Sequence, residues 1–162
     1  METKDQYQFA DFYKNEVLLS FKDHPFSKNP KHVLTICKYK GKWLLTKHKT
    51  RGLEFPGGNV EAGETARDAA IREVLEETGG IVEEIHYIAQ YNVAGKRERI
   101  IKNVYFARIK ELKNQSNYFE TDGPVLVDKI PNNVRYNRNY SFIMKDNVVS
   151  YSMKFIKENF AV

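Results

Sequence analysis

The most informative segment of the chain runs from Phe55 to Gly80 and reads FPGGNVEAGETARDAAIREVLEETGG. Its beginning predicts a loop, because Pro56 fixes one backbone angle and the glycines allow close approaches that a side chain would block. The residues after Thr65 predict a helix. Thr65 is a suitable N-cap, and Gly79 suits the left-handed conformation that often follows a helix end.

The predicted helix has an apolar face and an acidic face. The apolar residues lie about one turn apart and are Ile71, Val74 and Leu75. The acidic residues have i, i+3 and i+4 spacing and are Glu73, Glu76 and Glu77. These carboxylates repel one another near the C-terminal end of the helix, where the helix dipole disfavours negative charge. A solvated acidic face is the simpler interpretation, but a divalent cation would relieve the repulsion, and oxygen ligands suit Mg²⁺ or Mn²⁺.

This pattern favours metal-assisted attack on phosphate, because the acidic face directly follows a glycine-rich loop. Arg72 lies beside the acids on the same helix. We expect it to pair with Glu64 and so hold the loop on the helix.

The spacing of these residues resembles the signature of the Nudix hydrolases. Five residues separate Gly58 from Glu64, and seven more precede the run Arg72-Glu73-Val74-Leu75-Glu76-Glu77-Thr78-Gly79. One position departs from the signature: Gly80 stands where an aliphatic residue is usual, and we expect Ile81 to take over its packing. The resemblance implies that the metal is held by Glu73, Glu76, Glu77 and the carbonyl of Gly58.

The order of the remaining elements indicates an α/β fold. The predicted strands cover 17–21, 33–38, 43–48, 81–93, 99–109 and 125–127, and a second helix covers 148–159. Tyr87, Tyr91 and Val93 alternate with other residues, which predicts that they share one face of a strand. The Nudix resemblance implies the same architecture, a mixed β-sheet sandwiched between α-helices.

Length and composition set further limits. The 162 residues fit a single domain spanning 1–162. Neither a membrane span nor a signal peptide is evident, so we expect a cytoplasmic protein. Cys37 is the sole cysteine, which excludes an intrachain disulfide, and we interpret it as a core residue. The net charge of +5 suits a polyphosphate substrate, although a simple surplus of surface lysines explains it equally well.

Further site residues are predicted outside the signature. Lys47 and Arg51 belong to a basic cluster ahead of the glycine-rich loop, and in similar bacterial enzymes a basic residue at the position of Lys47 meets the phosphates. Many Nudix enzymes bring another carboxylate from a late loop, which makes Glu120 the candidate and Asp122 the reserve. Exposed acids in an ordinary turn are the alternative. By resemblance to enzymes acting on oxidised guanine nucleotides, the residues that contact a base are Phe55, Asn139 and Phe142.

The resemblance extends over nearly the whole chain, to the YtkD-type nucleoside triphosphatases of Gram-positive bacteria. The matching segments are 17–21, 54–58, 120–124 and 141–146. This implies a Mg²⁺-dependent hydrolase of purine nucleoside triphosphates such as 8-oxo-dGTP, or of the 5′-triphosphate end of RNA. The sequence gives no sign of a membrane or protein partner.

Two alternatives remain open at this point. One is a Nudix hydrolase of ADP-ribose or dinucleotide polyphosphates, because the signature serves these substrates as well. The other is a non-catalytic nucleotide sensor, which the intact Glu73, Glu76 and Glu77 disfavour. A plain RNA-binding module is disfavoured too, because the chain has no recognisable aromatic and basic RNA-binding motif.

Overall fold

A nine-stranded sheet organises residues 5–162, the part of the chain that the computed structural model describes. The strands are β1 (Gln6–Ala10), β2 (Glu16–Ser20), β3 (His32–Tyr39), β4 (Lys42–His48), β5 (Gly52–Glu54), β6 (Gly57–Asn59), β7 (Gly80–Ala94), β8 (Arg99–Leu112) and β9 (Thr121–Val127). The helices are α1 (Ala66–Thr78) and α2 (Asn147–Asn159), with short 3₁₀ turns at Val134–Tyr136 and Phe142–Met144. None of the helices in residues 5–162 is long and apolar enough to cross a membrane.

The sheet is mixed, as predicted. Its strand order is β1-β2-β7-β8-β3-β4-β5, with β6 paired to β3 and β9 paired to β4. The central strands β3 and β8 are parallel, and the other pairings of the described strands are antiparallel. The strands predicted at 33–38 and 43–48 correspond to β3 and β4, which form a hairpin with pairs from Cys37–Leu44 to Tyr39–Lys42.

The two helices cover opposite faces of this sheet, which confirms the predicted sandwich. On one face, Val149 and Ile156 of α2 belong to the same core cluster as Ile36 and Phe106 of the central strands. On the other face, α1 packs through small residues, and Ala69 and Ala70 form a second cluster with Val33 and Tyr105. The predicted helix at 148–159 therefore corresponds to α2, which begins one residue earlier.

A bulge in β7 overturns the prediction that Tyr87, Tyr91 and Val93 share one face. The pairing with β8 shifts between Tyr87 and Ala89, so one extra residue lies in β7 at that point. Such an insertion reverses the alternation of side chains. Tyr87 consequently packs against the cluster under α1, whereas Tyr91 belongs to the cluster under α2.

The ends of α1 follow the predicted capping chemistry. Thr65 Oγ1 accepts a hydrogen bond from the Asp68 amide at 3.1 Å, and Gly79 adopts φ 76°. The predicted apolar face is shifted, however, because Leu75 is 37% exposed and Ile71 is only half-buried. The residues of α1 that are buried against the sheet are Ala69, Ala70, Val74 and Thr78.

Cys37 lies in the core, as predicted. Its side chain is fully buried in a cluster with Leu44 and Val74. Burial raises the pKa of the thiol well above its usual value, and the nearby Glu77 adds to this effect. A thiolate is the reactive form of cysteine, so this residue serves packing rather than chemistry.

We expect Gly79→Ala to destabilise the protein more than Gly41→Ala. Both glycines have a positive φ, 76° and 79°, so alanine costs about 1–2 kcal/mol of backbone strain at either position. At Gly79 a Cβ would also overlap the carbonyl oxygen of Lys113, whereas at Gly41 no atom lies within 4 Å. The overlap should add about 1–3 kcal/mol, measured as the free energy of unfolding in urea. Equal losses would show that the segment at Lys113 moves freely away from α1.

Candidate active site

The glycine-rich loop lies at the end of the central strands because β6 pairs with β3. Gly58 is opposite Val33, and the Pro56 carbonyl accepts a hydrogen bond from the Thr35 amide at 2.8 Å. A Cβ on Gly58 would lie 2.6 Å from Cδ of Glu73. Glycine therefore lets the backbone of the loop touch this carboxylate of α1, which a Cβ would push aside.

Arg72 links the glycine-rich loop to α1 through hydrogen bonds. Its Nε donates to Oε2 of Glu64 at 2.8 Å, and its Nη2 donates to Oε1 of Glu64 at 3.0 Å and to the Asn59 carbonyl at 2.9 Å. Its Nη1 donates to Glu73 at 2.9 Å and to Glu76 at 3.2 Å. The structure thus contains the expected ion pair with Glu64, and one guanidinium fixes both the loop and two acids of the helix.

The three acids of α1 are not equivalent. Glu73 and Glu77 are adjacent and partly buried, and burial raises the pKa of both carboxyls, with Glu73 and Glu54 raising that of Glu77 further. Glu76 lies at the rim, hydrogen-bonded to the Arg72 guanidinium. Within residues 5–162, no group of three or more His, Cys, Asp or Glu side chains is placed as a metal cage. The side chains that fit a cation are this partly buried pair, since two carboxylates with reduced solvation favour a bound positive charge.

Glu54 is a site residue that the sequence reasoning did not identify. It is 3% exposed, and Arg51 donates to its two oxygens at 2.9 and 3.2 Å. Its only sequence signal is a charge between two apolar residues just before Pro56. Arg51, predicted to meet phosphate, is held by this bidentate pair. Lys47 is exposed on β4, opposite Leu53, and makes no ion pair within residues 5–162.

Glu120 directly precedes β9 and is exposed. Its backbone carbonyl accepts from the Lys49 amide at 3.2 Å, and the next residue, Thr121, donates from Oγ1 to the Glu77 carbonyl at 3.1 Å. The late loop therefore touches the end of α1 that carries the acids. Asp122 is also exposed, as the second residue of β9.

The three residues predicted to contact a base lie in different surroundings. Phe55 is 0% exposed, with its ring edge-on to Trp43 at 6.3 Å, so the prediction of a base contact by Phe55 does not fit this structure. Asn139 is exposed, and its carbonyl accepts from the Leu53 amide at 2.8 Å beside the loop. Phe142 is 36% exposed and available at the surface.

This fold, with paired carboxylates under a glycine-rich loop, is typical of hydrolases that cleave phosphate bonds. Comparison with known proteins identifies the family. The NUDIX domain model matches residues 28–128. Over 153 residues the chain is 55% identical to a Bacillus subtilis (strain 168) protein provisionally named the 8-oxo-dGTP diphosphatase YtkD, covering 94% of this chain and 97% of the relative. The chain belongs to the Nudix family and is a Nudix hydrolase.

Solved structures agree with this assignment. The crystal structure of a point mutant of the B. subtilis pyrophosphohydrolase BsRppH matches with a TM-score of 0.93 and 55% identity, covering 94% of this chain and 96% of that one. A NUDIX-family hydrolase from Clostridium perfringens matches with a TM-score of 0.55 at 19% identity, covering 79% and 99% of the two chains, which shows the fold alone. Members of this family generally use a divalent metal ion.

We expect Arg72→Lys to destabilise the protein by about 1–2 kcal/mol. Lysine keeps the positive charge, but its ammonium cannot form the hydrogen bonds that the planar guanidinium donates to Glu64 and the Asn59 carbonyl at the same time. The measurement is the free energy of unfolding in urea without added metal. Arg67→Lys is the matched control, since Arg67 is exposed on the same helix and makes no ion pair within residues 5–162. Equal stability of the two variants would mean that the Arg72 network does not hold the loop.

Proposed function

We propose that this protein is a Mg²⁺-dependent phosphohydrolase acting on the triphosphate of purine nucleotides of the 8-oxo-dGTP or dGTP type, on the 5′-triphosphate end of RNA, or on both. The observation that carries the proposal is the partly buried Glu73–Glu77 pair under the Gly58 backbone. The names of the two B. subtilis relatives support the substrate class. We expect the activity to lie in the cytoplasm, because such substrates occur there.

The cation would be held by the carboxylates of Glu73 and Glu77 and by the Gly58 carbonyl, with Glu76 at the rim. When bound, Mg²⁺ or Mn²⁺ would neutralise phosphate oxygens and lower the pKa of a coordinated water. The donor set fits this ion, because hard oxygen ligands suit Mg²⁺ and the partly buried acids repel each other without a cation.

The remaining groups act on the substrate and the attacking water. Glu76 or Glu120 would orient or deprotonate the water, since Glu76 lies beside the acid pair on α1 and Glu120 is exposed next to Thr121, which touches the end of α1. Lys47 and Arg51 would stabilise negative charge on the phosphates, and the Glu54 pair fixes the direction of the Arg51 guanidinium. Asn139 and Phe142 are the exposed candidates for contact with the base.

Glu77→Gln should lower kcat/KM by about 100-fold or more, because removing one ligand of the metal forfeits several kcal/mol of transition-state stabilisation. The assay follows product release with Mg²⁺ from 8-oxo-dGTP, dGTP and a short 5′-triphosphate RNA. Glu83→Gln is the control, since Glu83 is exposed on β7. Turnover of Glu77→Gln like that of the wild type would refute the assignment of this carboxylate.

The same substitution should stabilise the protein when no metal is present. A carboxyl whose pKa is raised on folding destabilises the native state as pH rises above its unfolded value of about 4.5, and glutamine removes this penalty. In EDTA at pH 8 we expect the Tm of Glu77→Gln to exceed that of the wild type by a few degrees, with a smaller difference at pH 5. Mg²⁺ should raise the Tm of the wild type but not that of the variant. A lower Tm of the variant in EDTA would contradict this account.

A further inference from the structure

Three exposed aromatic rings form a continuous surface at the tip of the β1–β2 hairpin. This ring cluster consists of Phe12 and Tyr13 from the turn between the two strands and Phe142 from the short 3₁₀ turn before α2. The centroid of the Tyr13 ring lies 5.2 Å from that of Phe12 and 5.1 Å from that of Phe142. Tyr13 is 61% exposed and Phe12 is 41% exposed. The rings therefore support one another while their outer faces remain open to solvent.

The turn of the hairpin holds Phe12 and Tyr13 in a defined geometry. Asp11 Oδ1 accepts from the Tyr13 amide at 2.9 Å and from the Asn15 amide at 2.8 Å. The Lys14 amide donates to the Asp11 carbonyl at 3.0 Å, and Lys14 adopts φ 65°, where a lysine is strained. Such strain persists only where the surrounding structure fixes the backbone. The two rings are thus presented to solvent by a fixed turn.

Positive charge borders the ring cluster. Lys145 Nζ lies over the Phe12 ring at 5.3 Å, and the exposed Lys14 directly follows Tyr13 in the chain. Neither lysine makes an ion pair within residues 5–162. The carboxylate of Asp11 accepts hydrogen bonds from backbone amides of the turn and pairs with neither of them. The surface therefore combines open ring faces with unpaired cations.

The ring cluster adjoins the phosphate side of the active site through β5. The Leu53 amide of β5 donates to the Asn139 carbonyl at 2.8 Å, so the segment that leads to Phe142 lies alongside β5, about 4.8 Å away. The same strand ends at Glu54, whose carboxylate holds the Arg51 guanidinium. The ring cluster is therefore next to the strand that positions a residue proposed to stabilise charge on the phosphates.

Single-stranded RNA fits the ring cluster better than a protein partner does. A stable protein interface covers about 800 Å² on each side and is depleted in lysine at its centre. A whole aromatic side chain offers about 150–250 Å², so three partly exposed rings offer less than that area. Aromatic faces beside cations are instead a usual means of binding single-stranded nucleic acid, because bases stack on the rings and the cations attract the phosphates.

We propose that the ring cluster binds the nucleotides of an RNA that follow its 5′-triphosphate end, while the triphosphate lies at the Glu73–Glu77 site. The bases stack on Tyr13 and Phe12, and the two neighbouring lysines attract the backbone phosphates. A free nucleoside triphosphate ends at its first nucleotide and does not reach the tip of the hairpin. This inference rests on the proposed function and names RNA as the substrate class that the protein favours.

The first test compares kcat/KM for free GTP and for 5′-triphosphate RNAs of increasing length that begin with G. We expect the wild type to prefer RNA that is long enough to reach the rings. Tyr13→Ala removes a stacking ring, so it should lower kcat/KM for such RNA by about 5- to 100-fold and leave free GTP unchanged. Tyr13→Phe should retain the preference for RNA, because it keeps the ring.

Leu126→Ala is the matched control for this test. Leu126 is an exposed apolar residue of β9, which pairs with β4 and lies away from the hairpin in the sheet. This variant should hydrolyse RNA and free GTP like the wild type. If Tyr13→Ala lowers kcat/KM for free GTP as much as for RNA, or lowers neither, the proposal is overturned.

RNA with a single abasic nucleotide shows whether a base stacks on the ring. At the stacking position, loss of the base should lower kcat/KM of the wild type to about the value of Tyr13→Ala. The two changes together should then cost no more than either alone, because they remove the same contact. Fully additive losses at every position would mean that no base contacts Tyr13, which overturns the proposal.

Equilibrium binding of a short 5′-hydroxyl RNA separates this proposal from the proposed function, because such an RNA has no triphosphate to cleave. If the wild type hydrolyses no substrate but binds this RNA in a Tyr13-dependent manner, the proposed function fails and the RNA-binding role stands. If hydrolysis is present but neither RNA binding nor the effect of RNA length requires Tyr13, the RNA-binding role fails alone.

Two further measurements complete the test. Lys14→Gln should reduce the slope of log affinity for the RNA against log salt concentration by about 0.7, the value for one phosphate contact on a single strand. An unchanged slope would overturn the phosphate contact of Lys14. Thermal unfolding and size-exclusion chromatography follow the fold and the oligomeric state of each variant. A wild-type dimer that Tyr13→Ala converts to a monomer would assign the ring cluster to self-association and overturn the proposal.

Discussion

The site depends on the guanidinium of Arg72. One side chain donates to Glu64 and Asn59 in the loop and to Glu73 and Glu76 on α1. The planar fork of arginine suits this task, because its donors have fixed directions and the group stays charged. Without it, the loop would have no charged link to the helix, and the acids would face one another uncompensated.

The placement of Glu73 beside Glu77 suits metal binding, although it destabilises the metal-free protein. Glu73 and Glu77 lie together in a partly dehydrated site, where burial raises the pKa of both carboxyls. Arg72 compensates Glu73 directly but makes no ion pair with Glu77. Under the proposed function, the remaining repulsion would drive the uptake of a cation, a common exchange of stability for function.

The sheet fixes the position of the glycine-rich loop relative to the central strands. The parallel pairing of β3 and β8 sets Lys102 beside His32, and the pairing of β6 with β3 sets Asn59 on the other side. The glycine-rich loop is thereby held at a fixed spacing from β8, with β3 between them. Loops alone would not hold this spacing, since they are more mobile than the strands they connect.

Features that depend on local spacing could be predicted from the sequence. The caps of α1, the glycine contact at Gly58 and the Arg72–Glu64 pair follow from residues close together in the chain. Tertiary packing determines which side chains are buried, because burial depends on the element that packs against them. It placed Phe55 inside the core, left Leu75 exposed, and turned Tyr87 to the other face through a bulge. The pairing of β6 with β3 brings the glycine-rich loop to the central strands through sheet register, which no local pattern encodes.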